Sequence, residues 1–392
     1  MPKSRKRANG EGSLYQRASD HMWVATLRLD QNKRRVFYGK TQKEALEKRA
    51  KAQSDLQQGK LPTKLSKQTV AQFLSAWLES IAYNKRPRTY ERYEQIVRLH
   101  IVPLLGGIHL QKLTVQHVEA FYGEKLQQGL SPTTVNTIHN VLHLALETAI
   151  DWELVTRNVC DRVSPPARAE VEFIPLSLEQ IHQLIRAARG SYPLETLITL
   201  ALTTGMRRGE LLGLKWRDVD IQEKRLQIRR TMGRLPRKFR AEGQRALAES
   251  VPKSKAGKRG VILVPLAVEA LEKQRVYQQQ RKKAAGETWR DNDLVFSTSL
   301  GTPCNSDRYV TVPFKHLLQQ AGLPNIRFHD LRHSAATLLL SLGIHPKIVQ
   351  EILGHSNINI TLTVYSHVLP TMQKDAMEKM HQAFEGLDKE RQ

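Results

Sequence analysis

The spacing of apolar positions along this chain changes twice, and each change marks a new structural block. In residues 21–29 the pattern alternates, with Trp23, Ala25, Leu27 and Leu29 on one parity and Val24, Thr26 and Arg28 on the other. A period of two predicts a strand; residues 12–17 and 33–38 read as strands beside it, with Asp30-Gln31-Asn32 as a turn. Thr41-Gln42-Lys43-Glu44 has the capping-box pattern and predicts a helix to about residue 58. Leu61-Pro62-Thr63-Lys64 then reads as a linker.

In the second block the period becomes helical. Val70, Phe73, Leu74, Trp77, Leu78 and Ile81 form one stripe, with Thr69 and Gln72 at its start. A second helix is predicted from about Thr89, carrying Tyr93, Ile96 and Val97 and ending before Pro103. Thr114 caps a third with Val115, Val118, Phe121 and Tyr122, and Ser131-Pro132 opens a fourth with Val135, Ile138, Leu142, Ala145 and Ala149. These stripes are core positions, whereas Lys85-Arg86-Pro87-Arg88 is either a phosphate grip or a solvated basic loop.

Ser164-Pro165-Pro166-Ala167-Arg168 marks the second linker. Ser177-Leu178-Glu179-Gln180 opens a new helix, and the remainder reads as mainly helical with strands at residues 225–230 and 260–264. Ala335, Leu338, Leu339 and Leu342 form the predicted buried stripe of one late helix. Ile348, Val349, Ile352 and Leu353 form that of the next, which Gly354 ends. Met372, Ala376, Met380 and Phe384 recur at helical spacing in a tail that either docks on a neighbouring copy or folds back on its own domain. The expected architecture is therefore multidomain and mainly α: a small sheet-plus-helix domain over 1–62, a helical domain over 66–165, and a mainly α domain with a small antiparallel sheet over 172–392.

Charge narrows the partner. Lys and Arg total 61 against 38 Asp and Glu, a formal net charge of +23, so a polyanion is expected. Residues 1–65 hold 16 Lys/Arg and 6 acids, which suits a strand face set into a DNA groove as well as a solvated basic surface. Residues 224–259 hold 13 Lys/Arg and two acids, Glu242 and Glu249, and are expected to be mobile until they meet a polyanion. No run of about 18 apolar residues exists to span a bilayer, and the basic start has no apolar segment behind it to make a secretory signal. Cys160 and Cys304 are too far apart in sequence for C-x-x-C spacing, which supports neither a disulfide framework nor a structural zinc site. A reducing cytoplasm and no membrane partner are the expectations.

Candidate chemistry concentrates late in the chain. His329-Asp330-Leu331-Arg332-His333, Leu353-Gly354-His355-Ser356 and Tyr365-Ser366-His367 place imidazoles, a guanidinium and a phenol in a short span. Thr204-Gly205-Met206-Arg207-Arg208-Gly209-Glu210 adds an Arg at a helix start, where a fixed guanidinium and free backbone N–H groups suit a phosphate oxygen. Glu210, one turn on, is placed to orient Arg207 or a neighbouring donor rather than to act as a base. His329 and Arg332, three apart, share a helix face and can converge on one ligand. His355, just past a helix stop, is expected to be held firmly yet exposed. Each feature alone also reads as a surface pair or a packing residue; together they supply several cationic donors and one oxygen nucleophile, which is what metal-free phosphoryl transfer needs. His333 and His367 read as structural or orienting.

That set resembles the tyrosine recombinase, or phage integrase, family, whose signature is a T-G-x-R-x-x-E box, a hairpin Lys, an H-x-x-R box, an L-G-H box and a terminal Tyr. The resemblance implies Arg207, Lys255, His329, Arg332, His355 and Tyr365 as catalytic residues, with Lys253 and Lys258 competing for the hairpin position. It also implies an arm-type DNA-binding domain, a core-binding domain and a catalytic domain for the three blocks. The implied activity is site-specific integration or excision of a mobile element. Tyr365 would be the nucleophile that forms a 3′-phosphotyrosine, and no cofactor, metal or ATP would be needed. The implied partners are double-stranded attachment-site DNA, a homotetramer on it, and excisionase or DNA-bending accessory proteins. A type IB topoisomerase and a non-catalytic DNA-binding regulator are the alternative readings.

Overall fold

Three antiparallel strands, β1 (Leu14–Gln16), β2 (Trp23–Asp30) and β3 (Lys33–Gly39), form the first sheet in that order. Helix α1 (Gln42–Gln57) packs on β2 and β3. Ala25 and Leu27 are buried as their parity predicts, but Val24 and Thr26 of the other parity are buried too. Thr26 lies beside the residue before β1, where Ser13 N donates to its Oγ1 at 2.8 Å. The capping residues of α1 divide their work: Thr41 Oγ1 accepts from Glu44 N, while the Glu44 carboxylate accepts from Lys40 N. This computed structural model describes residues 13–18, 20–30, 33–57, 67–167, 175–241, 247–251, 257–355, 357–359, 362, 377, 378, 380–382 and 384, with backbone only at 28–30, 33–35 and 55–57. The Asp30-Gln31-Asn32 turn in part, the 61–64 linker and most of the tail lie outside them.

Two compact units divide the chain, Met1–Val171 and Glu172–Gln392, and the first holds both the sheet and the helical block. Its helices are α2 (Val70–Ile81), α3 (Pro87–Ile96), α4 (Val102–Leu105), α5 (Val115–Gln127) and α6 (Pro132–Asp151). Thr69 with Gln72 and Thr114 with His117 make the reciprocal side-chain-to-backbone bonds of a capping box. Thr69→Ala removes an acceptor that satisfies an otherwise orphaned N–H, so it is expected to cost about 1 kcal/mol by urea denaturation. Phe73, Leu74 and Trp77 are fully buried with Ile138 and Leu142, and Trp77 stacks on Tyr93 at 5.9 Å between centroids. His143 Nε2, 2.8 Å from Asp161, ties the turn Val159–Arg162 to α6.

Two expectations are corrected here. Helix α3 begins at Pro87, not Thr89, because proline at the first helical position forfeits an N–H that has no partner anyway. The helical path also continues past Pro103, through a π-turn at Val97–Ile101 into α4. In that wider turn Val102 N bonds back five residues to Val97 O, and the register break falls where proline lacks a donor.

In the second unit α7 (Leu178–Ala188), capped by Ser177 and Gln180, leads into α8 (Leu194–Thr204). Nearly every residue of α8 is buried, because α7, α10 (Pro265–Ala285) and α12 (Asp330–Ser341) surround it. The short α9 (Arg208–Leu212) follows, then strands β4 (Val219–Asp220), β5 (Arg225–Ile228), β6 (Thr231–Arg234), β7 (Leu247–Ser250) and β8 (Arg259–Ile262). One antiparallel sheet runs β4-β5-β8, with Leu226 opposite Val261 and both sealed against the core. The pair β6-β7 corrects the expectation of a wholly mobile 224–259 segment. Ion pairs hold it: buried Asp218 binds Arg230, Arg230 also reaches Glu249, and Lys215 meets Glu249 at 2.6 Å.

Helices α11 (Val312–Gln320) and α13 (Pro346–Leu353) complete the unit. Two apolar stripes differ from expectation. On α12 the buried apolar residues are Leu331, Ala335, Ala336 and Leu340, while Leu342 lies past the last turn and is exposed. On α13 Val349 and Leu353 are buried and Ile348 is exposed, because only one side of this two-turn helix meets α12. Both cysteines are buried and free. No described helix is long and apolar enough to cross a membrane.

Candidate active site

Two left-handed glycines bring the site together. Gly205 ends α8 at φ +60 and Gly354 ends α13 at φ +66, a backbone region that costs other residues. At Gly354 the chain closes a Schellman motif, with Gly354 N bonded to Glu351 O and His355 N to Gln350 O at 3.0 Å. The ends of α8 and α13 meet closely: a Cβ on Gly205 would collide with Leu353 Cδ2. Helix C-termini present unpaired carbonyls and the negative pole of the helix dipole, which suits arginine.

Three arginines use those carbonyls. Arg332 Nη1 donates to Gly205 O at 2.6 Å, Arg207 Nη2 to Gly354 O at 3.2 Å, and Arg259 Nε to Ile352 O at 2.7 Å. Glu210 joins two of them, 2.8 Å from Arg207 Nη1 and 3.3 Å from Arg259 Nη2. Burial opposes the charged form of Glu210, but Arg259 and then Arg207 outweigh it and hold its pKa below the usual value. Glu210 also accepts from the Arg207 backbone N at 3.0 Å, so this N–H is spent on the box and is not free for phosphate, contrary to expectation. Orientation of Arg207 by Glu210 is as expected.

Arg332 is 3% exposed, and its Nη2 is buried with no hydrogen-bond partner among the described residues. Burial, then Arg207 and Arg259, lower its pKa to about 9, so it stays a cation at neutral pH. A buried, unpaired guanidinium donor among three like charges is stabilised by an incoming anion.

The imidazoles border this cluster. His329 stands at the N-cap position of α12, partly exposed, with its ring perpendicular to His333 at 5.6 Å. The protein mass around it and then His333, Arg332 and Arg207 lower its pKa to about 4. His355 is 5% exposed, which corrects the expectation of an exposed ring: the Schellman turn folds it inward. Burial, then Arg332 and Arg207, take its pKa down to about 3. Both imidazoles are neutral at pH 7 and can accept a hydrogen bond or a proton.

A histidine held below its unfolded value weakens folding as pH falls, because the unfolded chain takes up the proton first. For His355 that loss runs from about pH 6.5 down to about pH 3. The drop in Tm between pH 7 and pH 4.5 is therefore expected to be smaller for His355→Gln than for the wild-type chain. An equal or larger drop would contradict it.

Of the six expected residues, Arg207, Arg332 and His355 are brought together around α8 and α13, and His329 stands at the edge. Lys255, Lys253, Tyr365 and His367 lie outside the described residues; Lys258 is described and exposed. Arg208 turns away to Thr311 at 2.7 Å. Arg259 was missed: at the head of a strand it resembles any basic edge residue. The available signal was the need of buried Glu210 for a second cation. Anchored guanidiniums around a buried donor with no partner among the described residues form a cationic centre chemically suited to an anion.

The comparisons agree with this. Residues 175–372 match the phage integrase family and residues 69–126 its N-terminal SAM-like domain. A tyrosine recombinase XerC-like protein of Caldanaerobacter subterraneus subsp. tengcongensis is 31% identical over 370 residues, covering 90% of this chain and 92% of the relative. The Tn1549 transposon integrase in complex with a circular intermediate DNA has the same fold, with TM-score 0.66, 21% identity and coverage of 80% of this chain and 99% of that one. A lambda integrase tetramer bound to a Holliday junction matches at TM-score 0.56 and 20% identity, over 90% of this chain and 97% of that one. This chain belongs to the phage integrase family of tyrosine recombinases.

Proposed function

We propose that the chain is a site-specific DNA recombinase that integrates or excises a mobile element, with Arg207, Lys255, His329, Arg332, His355 and Tyr365 as its catalytic residues. The observation that carries the reading is Arg332: a buried guanidinium anchored on Gly205 O with its Nη2 unpaired, beside Arg207 and His355. Arg207 and Arg332 bind the non-bridging oxygens of the scissile phosphate and stabilise the charge that grows in the five-coordinate transition state. His355 adds a hydrogen bond there. Neutral His329 takes the proton of Tyr365 as its oxygen attacks phosphorus. The 5′-oxygen leaves with a proton from Lys255, giving a 3′-phosphotyrosine and a free 5′-hydroxyl, and attack by another 5′-hydroxyl reverses the step. Bond energy is kept throughout, so ATP has no role.

The rest of the chain serves placement. In this reading residues 1–62 contact arm-type sites, 66–165 grip the core site and 172–392 cut. Four copies act on two duplexes, with excisionase or DNA-bending proteins as accessories, in the cytoplasm of a bacterial host. The lambda tetramer on a Holliday junction supports the assembly.

Strand exchange separates this proposal from a topoisomerase or a passive regulator. Incubating the full chain with two duplexes carrying its attachment site is expected to give recombinant products. Supercoil relaxation without exchange supports the topoisomerase, and binding without cleavage supports the regulator.

A further inference from the structure

A closed ring of contacts surrounds Glu210. Its Oε1 meets Arg207 Nη1 at 2.8 Å, and Arg207 Nη2 reaches Gly354 O; two residues back, Ile352 O accepts from Arg259 Nε at 2.7 Å, and Arg259 Nη2 returns to Glu210 Oε2 at 3.3 Å. One carboxylate and two guanidiniums thus join the start of α9, the head of β8 and the end of α13. The Arg259 and Glu210 side chains are 7% and 3% exposed, so little water competes for these bonds. Arg259 Nη1 is itself buried, with no hydrogen-bond partner among the described residues. The planar fork spans a carboxylate and a helix-end carbonyl at once, which the single ammonium of lysine cannot do.

We propose that Arg259 is a positioning residue of the active site. By fixing Glu210 and the last turn of α13, it sets Arg207 and His355 relative to each other. It also anchors the head of β8, four residues after Lys255 in sequence. The inference rests on the catalytic reading above, in which Arg207 and His355 face the scissile phosphate.

The test is single-turnover formation of the covalent DNA adduct by the full chain at saturating nicked attachment-site duplex, with DNA affinity and Tm measured beside it. Arg259→Gln is expected to slow the reaction by about 10- to 100-fold, with affinity within about twofold of wild type. Glu210→Gln is expected to slow it comparably, and the double variant to be no slower than the slower single one, since both break one clamp. Arg259→Lys, which keeps the charge, is expected to fold and to react at a rate between wild type and Arg259→Gln. Should Arg259→Gln not fold, Arg259→Lys carries the test, and a wild-type rate for it overturns the proposal. Single effects that multiply in the double variant, or rate losses that only follow Tm, overturn it too. Tyr365→Phe separates the two readings. An adduct that persists there overturns the catalytic reading and this one with it, whereas an adduct lost there but formed at wild-type rate by Arg259→Gln overturns only the role of Arg259.

Discussion

Arg332→Lys is expected to slow strand cleavage by on the order of 10²–10³-fold while leaving DNA affinity nearly unchanged. The arginine is buried in the second unit, with Nη1 on Gly205 O and Nη2 without a partner among the described residues. Lysine has one nitrogen. It keeps either the carbonyl or the phosphate contact, and in this site its charge faces Arg207 and Arg259 without the planar fork that divides the two bonds. Affinity is carried by many Lys and Arg contacts along the phosphate backbone, so one buried cation contributes little to it. Single-turnover adduct formation and a binding titration measure the two effects separately. Arg207→Ala is expected to behave alike, because it also loses a donor fixed in advance; cleavage by either variant within about threefold of wild type would remove that arginine from the mechanism.

Gly205→Ala is expected to destabilise the second unit by roughly 2–5 kcal/mol, from two separate costs. A Cβ at φ +60 meets the left-handed penalty, and the same Cβ lands on Leu353 Cδ2 where α8 and α13 touch. Gly190→Ala is the control. Its φ is +76 but nothing lies within 4 Å of an added Cβ, so only the backbone penalty of about 1–2 kcal/mol applies. Urea denaturation of the two variants checks the difference. Equal losses would show that the contact between α8 and α13 is loose. Because Gly205 O holds Arg332, the Gly205 variant is also expected to cleave more slowly than its remaining folded fraction accounts for.

The parts of the fold legible in the sequence are those fixed within a few residues. The capping boxes at Thr69, Thr114 and Ser177 and the stop at Gly354 depend on partners two to five positions away, and the structure places all four as read. The hairpin β6-β7 was hidden because its strands carry few apolar residues. What holds it is the Asp218-Arg230-Glu249-Lys215 network, whose members come from different parts of the chain. Helix phase failed at Leu342 and Ile348 for a similar reason: apolar spacing gives a stripe, but the neighbouring helix decides which part of it is covered.

The site divides along the same line. Arg207, His329, Arg332 and His355 could be singled out because each sits in a short motif, and the order of those motifs is distinctive. The burial of His355 was not legible, since it follows from how the end of α13 packs against the arginines. Nor was the part of Arg259, whose carboxylate partner lies 49 residues earlier.

Tyr365 is expected to become covalently joined to a DNA 3′-phosphate at this arginine centre. A nicked suicide duplex carrying the attachment site, incubated with the full chain, should trap that adduct. Digestion and mass spectrometry should then place the nucleotide on Tyr365, with no adduct from Tyr365→Phe. An adduct on another residue, or one of equal yield from Tyr365→Phe, would contradict the account.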